Sequence, residues 1–123
     1  MIDYNNWKQN LYSAIETLSN ISFQEEAWSG LGLRFSSSFE EDIMILNDDN
    51  CFNEEFWDEN HLFNFNLSKK TVDRLHDYKT SLNLFLKDYY SKEIKPSYIE
   101  IINDPNWIIL VDKAKQVLKN WDE

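Results

Sequence analysis

The chain is poor in several things, and each shortage excludes something. Cys51 is the only cysteine among 123 residues, so no internal disulfide can form, and a reducing, cytoplasmic setting is expected. The Asn-x-Ser sequons at Asn20 and Asn66 carry little meaning in such a setting. Two glycines and two prolines are too few for an all-β domain built on many tight turns. No stretch approaches the roughly 18 consecutive apolar residues that a membrane-spanning helix requires. The opening MIDYNNWKQN lacks the basic start and apolar continuation of an export signal. Basic residues are scarce in one place above all: residues 1–67 contain only Lys8 and Arg34.

What is present points to a folded domain. Apolar residues make up 42% of the chain and aromatics 15%, which is too much hydrophobic surface for a disordered, charged polymer. The length suits a single domain with a true core, spanning residues 1–123. Net charge is −10 and unevenly placed: residues 1–67 hold 13 acids against two bases, whereas residues 68–123 hold 9 acids against 10 bases. The first half therefore carries a net −11 and the second +1. Such a field repels nucleic acid, whose binding depends on cations displacing phosphate counterions. It attracts basic proteins and speeds their encounter.

Periodicity predicts helices. Trp7, Leu11, Ala14, Ile15 and Leu18 form one stripe across residues 3–18. Ser22 and Glu25 have the spacing of a capping box for a short helix through Trp28, and Ser38 with Glu41 repeats it for a helix ending near Asn47. In that helix Phe39, Ile43 and Leu46 share a face, and Glu40, Glu41 and Asp42 sit in the first turn, where the helix dipole favours anions. Phe52, Phe56 and Trp57 suit a short helix through Glu59. Residues 62–67, LFNFNL, alternate as a strand does and pair in principle with Gly32–Phe35. From Ser68 to Tyr90, Val72, Leu75, Tyr78, Leu82, Phe85, Leu86 and Tyr89 mark the longest uninterrupted helix. Ser97 and Glu100 cap one further turn, and Asp104-Pro105 begins a last helix whose stripe runs from Trp107 to Trp121. The expected fold is an all-α single-domain helical bundle, with at most one short β-strand pair.

Catalytic and cofactor signals are absent. Asp58 with His61, and Asp73 with His76, mimic half of a di-iron ligand pattern, but the two further glutamates and a second long parallel helix are missing. DDNCFNEEFWDE lacks the central glycine and alternating oxygen ligands of a calcium loop. Neither Ser36, Ser37 and Ser38 nor Cys51 lies on a glycine-flanked nucleophile elbow, and the acids around Cys51 disfavour a thiolate. No catalytic residue, metal site or cofactor is expected.

Attention therefore turns to Glu40–His61, which holds nine carboxylates and no Lys or Arg, threaded with Ile, Met, Leu, Phe and Trp. On a helix Glu54 faces Asp58 and Glu55 faces Glu59, like-charge pairs that each destabilise by about 0.2–0.5 kcal/mol. Asp48 and Asp49 oppose the dipole at the end of the preceding helix. Clustered acids around an aromatic make a plausible electrostatic interface, so Asp48, Asp49, Glu54, Glu55, Trp57, Asp58 and Glu59 are the candidate partner-binding residues. The plainer reading is a solvated acidic face with Trp57 folded into the core.

SFEEDIMILNDD and the tail DPNWIILVDKAKQVLKNW together resemble the small acidic immunity proteins of bacterial polymorphic toxin systems of the contact-dependent growth inhibition type. The likeness covers about a third of the chain. It implies a cytoplasmic bacterial protein, not an enzyme, that binds a cognate toxin domain and blocks its active site or substrate cleft. A basic, nuclease-type toxin fits the acidic charge, and neither nucleic acid nor membrane is an expected partner. Two other classes compete: an acidic nucleic-acid mimic that inhibits a DNA- or RNA-binding protein, and a small helical metal- or substrate-binding enzyme. A mimic favours carboxylates spread at phosphate-like spacing along an elongated surface, and the enzyme requires ligands converging in a pocket. The sequence carries no signal for oligomeric state.

Overall fold

The computed structural model describes residues 3–30, 37–50, 52, 65–119 and 121. Among these there are six α-helices, one π-helical turn and no strand: α1 (Tyr4–Leu18), α2 (Ile21–Trp28), α3 (Phe39–Met44), the π turn (Ile45–Asp49), α4 (Lys69–Ser91), α5 (Tyr98–Ile102) and α6 (Pro105–Lys119). The fold class is all-α. Where a strand was expected, Phe65 and Asn66 form a turn, and Asn66 takes a left-handed φ of 58°, a conformation asparagine tolerates better than most residues. The rest of that expected pair, including Gly32–Phe35, lies outside the described residues.

Side-chain caps set most helix starts. Asp3 accepts the Asn6 N–H at 3.0 Å to open α1, and Ser68 accepts the Thr71 N–H at 3.2 Å to open α4. Ser97 and Glu100 form a reciprocal capping box on α5. Asp104 accepts the Asn106 N–H at 2.9 Å beside Pro105, as its sequence predicts for α6. The start of α2 differs from the expectation. Its cap is Asn20, whose Oδ1 accepts the Phe23 N–H at 3.0 Å, so Ser22 lies inside the helix. The reason is the tight joint before it: Ser19 closes α1 by donating its backbone N–H to the Glu16 carbonyl, and Asn20, whose N–H reaches the Thr17 carbonyl, is already at hand.

The stripes read from the sequence face inward and join one core. Helix α6 packs against both α1 and α4, and α2 packs on α5 and α1. Trp107 is at the centre of a ring cluster with Phe39 at 5.3 Å, Phe85 at 5.3 Å and Trp28 at 5.9 Å, with Tyr89 4.7 Å beyond Phe39. These edge-on and tilted pairs tie α2, α3, α4 and α6 together, each worth about 0.5–1.5 kcal/mol beyond the area it buries. A second cluster sets Trp7 5.0 Å from Phe65. Two polar links cross the same interior. Gln24, fully buried on α2, donates from Nε2 to the Thr17 carbonyl at 3.1 Å and accepts the Trp107 indole N–H at 2.9 Å. On the outside, Lys113 pairs with Asp77 at 2.7 Å and Arg74 donates to the Gln116 carbonyl at 3.0 Å, pinning α4 to α6.

Candidate partner-binding surface

The acidic stretch departs from a simple helix at Ile45. Helix α3 begins at Ser38, whose Oγ accepts the Glu41 N–H at 3.1 Å, and it runs only to Met44. The chain then widens into the π turn, where sequence reasoning expected the helix to continue to Asn47. Asn50 closes that turn twice. Its backbone N–H reaches back five residues to the Ile45 carbonyl at 3.2 Å, and its side-chain Nδ2 donates to the same oxygen at 2.7 Å. The Asn50 carbonyl in turn accepts the Trp7 indole N–H at 2.9 Å, which fastens the turn to α1. Single π turns inside α-helices are rare and concentrate at functional positions.

The segment has an inward and an outward side. Phe39, Asp42, Ile43, Leu46, Asn47 and Asn50 are buried, whereas Glu40, Glu41, Met44, Ile45, Asp48 and Asp49 are exposed. The outward residues fall into two parallel rows, Glu40–Met44–Asp48 and Glu41–Ile45–Asp49. Each row holds one apolar residue between two carboxylates. Met44 is 54% exposed and Ile45 43%. Tyr90, at the end of α4 and 54% exposed, borders the first row. Its hydroxyl pKa is raised first by partial burial and then by the negative charges of Glu40 and Asp48, which places all three in one neighbourhood. Tyr89 beside it donates its hydroxyl to Glu40 Oε1 at 2.8 Å, so Glu40 is held in position from α4.

Asp42 is a different kind of acid from its neighbours. Sequence reasoning grouped it with Glu40 and Glu41 as a dipole-stabilised first-turn residue. In the fold it is buried, and its Oδ2 accepts the Trp28 indole N–H at 2.7 Å and the Ser37 hydroxyl at 2.9 Å. It is part of the frame, not of the surface.

Of the seven nominated residues, Asp48 and Asp49 lie on this face, exposed and adjacent. Glu54, Glu55, Trp57, Asp58 and Glu59 lie outside the described residues. Sequence reasoning missed Glu40, Glu41, Met44, Ile45 and Tyr90 as members. The signal for the first four was present in the four-residue spacing of the rows, once Phe39, Ile43 and Leu46 are taken as the inward stripe. Tyr90 had no local signal, because a different helix brings it there.

Other exposed aliphatic residues exist: Leu84, Ile94, Ile99, Ile108 and Ile109 dot α4 through α6. Singly exposed apolar residues are normal. The α3 face differs in being framed by acids in a sequence window that contains no Lys or Arg. A groove of about 310 Å³ adjoins it, between α1 and the π turn, lined by Asn10, Ser13, Ala14 and Thr17 on one side and Ile45 and Asp49 on the other.

Among the described residues no group of three or more His, Cys, Asp or Glu side chains is placed to hold a metal. Asp73 and His76 are exposed on α4; Asp58, His61 and Cys51 lie outside the described residues. No described helix is long and apolar enough to cross a membrane. No family model, curated protein or solved structure matches this chain.

Proposed function

We propose that this protein is an immunity-type inhibitor: it binds a basic toxin domain through the acidic face of α3 and the π turn and blocks that domain's active site or substrate cleft. The observation that carries the reading is the face itself, four exposed carboxylates around two exposed aliphatic side chains, in the half of the chain with a net charge of −11. The resemblance of SFEEDIMILNDD and of the α6 segment to immunity proteins supports the partner class. A nuclease-type toxin presents cations for the phosphate backbone, and carboxylates occupy that place as phosphate substitutes.

Magnitudes assign the carboxylates mainly to capture. An exposed ion pair stabilises a complex by about 0–1 kcal/mol, so four of them do not make a tight complex alone. At physiological salt the screening length is about 8 Å, yet aligned charges still raise association rates well above the uncharged level. Retention then depends on buried apolar contacts and paired charges.

The test is neutralisation in place. Glu40→Gln, Glu41→Gln, Asp48→Asn and Asp49→Asn together keep side-chain shape and leave Tyr89 an acceptor at position 40. Removing Asp48 and Asp49 also relieves their conflict with the helix C-terminus. With the cognate toxin domain as partner, the quadruple variant is expected to associate at least about tenfold more slowly, with a flatter salt dependence and lost protection of toxin-producing cells. Neutralising Asp73 and Asp112, exposed on α4 and α6, is the control and leaves both unchanged. An unaltered far-UV circular dichroism spectrum and urea midpoint secure the comparison. Full protection and an unchanged on-rate in the folded quadruple variant refute the assignment.

A further inference from the structure

The groove beside the acidic face adds a second, geometric feature to the charge, and it narrows the chemistry of the partner. It lies between α1 and the Ile45–Asp49 row, and its lining is mixed. Ala14 and Ile45 offer apolar surface, Asn10, Ser13 and Thr17 offer amide and hydroxyl groups, and Asp49 contributes the carboxylate. Thr17 Oγ1 donates its proton to the Ser13 carbonyl at 3.2 Å, which leaves its oxygen as an acceptor. Apolar surface beside oxygen acceptors and one carboxylate matches a long cationic side chain, whose methylene stem packs on apolar surface while its head donates hydrogen bonds. Outside the groove, Met44 and Ile45 offer exposed apolar surface on the same face, with Tyr90 at its edge.

Resting on the reading proposed above, we infer that this face receives a basic, amphipathic segment of the partner protein, with one arginine or lysine side chain seated in the groove between α1 and the π turn and aliphatic residues packed on Met44 and Ile45. Charge complementarity selects the sign of the occupant. The apolar residues between the carboxylates select an amphipathic segment over a purely polycationic one, because burying Met44 and Ile45 gains only where the partner is apolar there. The groove selects one cation among several.

Synthetic peptides test this with the full-length protein. The probe is a labelled helical peptide with arginine on one face and leucine on the other. A matched peptide of equal charge with serine replacing leucine is the comparison. The leucine peptide is expected to bind at least about tenfold more tightly, and Met44→Ser with Ile45→Ser is expected to erase that advantage. Both substitutions are at exposed positions, and circular dichroism checks the fold. Arginine is then replaced by neutral, isosteric citrulline one position at a time. A seated cation makes one position dominate the loss, and Asp49→Asn should remove most of that position's effect. Equal binding of the two peptides, small and even losses at every arginine, or no binding by either peptide overturns the inference. The outcome is separable from the proposed function: a toxin that the protein neutralises without preferring the leucine peptide sinks only the segment chemistry. A protein that prefers it yet protects no cell sinks only the immunity reading.

Discussion

Replacing Gln24 by methionine isolates one buried polar link. Gln24 is fully buried and couples three helices, since its Nε2 donates to Thr17 at the end of α1 and its Oε1 accepts from Trp107 on α6. Methionine nearly preserves the side-chain volume but can do neither. The two losses are unequal. The Thr17 carbonyl keeps the Asn20 N–H as a donor at 3.4 Å, so on that side an ordinary hydrogen bond is lost, about 0.5–1.5 kcal/mol. Trp107 is fully buried, so its indole N–H has no water to turn to and bears the desolvation penalty of about 1–3 kcal/mol. The thioether regains about 1 kcal/mol through added apolar burial. The net is about 2 kcal/mol of lost stability. For a urea m-value of about 1–3 kcal/mol/M, the unfolding midpoint falls by about 1 M. Far-UV circular dichroism during urea titration measures it. The decisive control is a double-mutant cycle with Trp107→Phe, because phenylalanine has no N–H to orphan. In that background Gln24→Met is expected to cost at least about 1 kcal/mol less than in the natural protein. A coupling near zero refutes the reasoning, since the indole–amide bond would then contribute nothing.

Two further predictions concern the frame around the candidate surface. Asp42→Ala leaves the buried Trp28 indole N–H without its 2.7 Å acceptor and is expected to destabilise by about 2–3 kcal/mol, with Asp42→Asn losing less than half as much because its amide oxygen still accepts; chemical denaturation checks the order of the two. Alkaline stability follows from the tyrosines. The folded-state pKa values of Tyr78 and Tyr89 are raised above the ordinary value of 10.0, in both cases first by burial, and for Tyr89 then by its hydrogen bond to Glu40. Folding thus favours the neutral phenols. That contribution is complete below about pH 10 and is lost as pH rises from there toward the raised folded values. Urea midpoints are therefore expected to fall above pH 10, and less steeply in Tyr89→Phe; a midpoint independent of pH up to 11 contradicts the assignment.

Legibility in the sequence followed the range of the interactions responsible. The helices α1, α4 and α6 were readable because burial of one face imposes its own period, and residues such as Leu75, Tyr78 and Leu82 meet that demand within a few turns of chain. Caps were readable where one candidate stood alone, as at Ser97 and Asp104. At α2 the expected cap was Ser22, and the joint with α1 makes Asn20 the cap instead. Asp42 lies in the first turn of α3 as expected, but its burial had no local signal, because that burial depends on Trp28, 14 residues earlier, and on Ser37. The strand-like LFNFNL failed where the chain turns at Asn66, and alternation alone contains no information about the left-handed φ that turns it.

The candidate surface shows the same division, and it explains why the acidic stretch is also greasy. Each residue of a helix advances about 100° around the axis, so Phe39, Ile43, Leu46 and Asn50 recur on one side at intervals of four, three and four. Leu46, Asn47 and Asn50 are buried in and beside the π turn, while Asp48 and Asp49 continue the outward rows begun by Glu40 and Glu41. The device depends on the Asn50 side chain and on Trp7, 43 residues away, whose indole N–H holds the Asn50 carbonyl. Asp48 and Asp49 were legible from charge alone. Their alignment with Met44 and Ile45 lay in the four-residue spacing, whereas the anchoring of the turn by Trp7 on α1 had no local signal. The apolar residues in the stretch thus divide in two: Phe39, Ile43 and Leu46 anchor it to the core, and Met44 and Ile45 remain exposed, where the proposed partner would cover them.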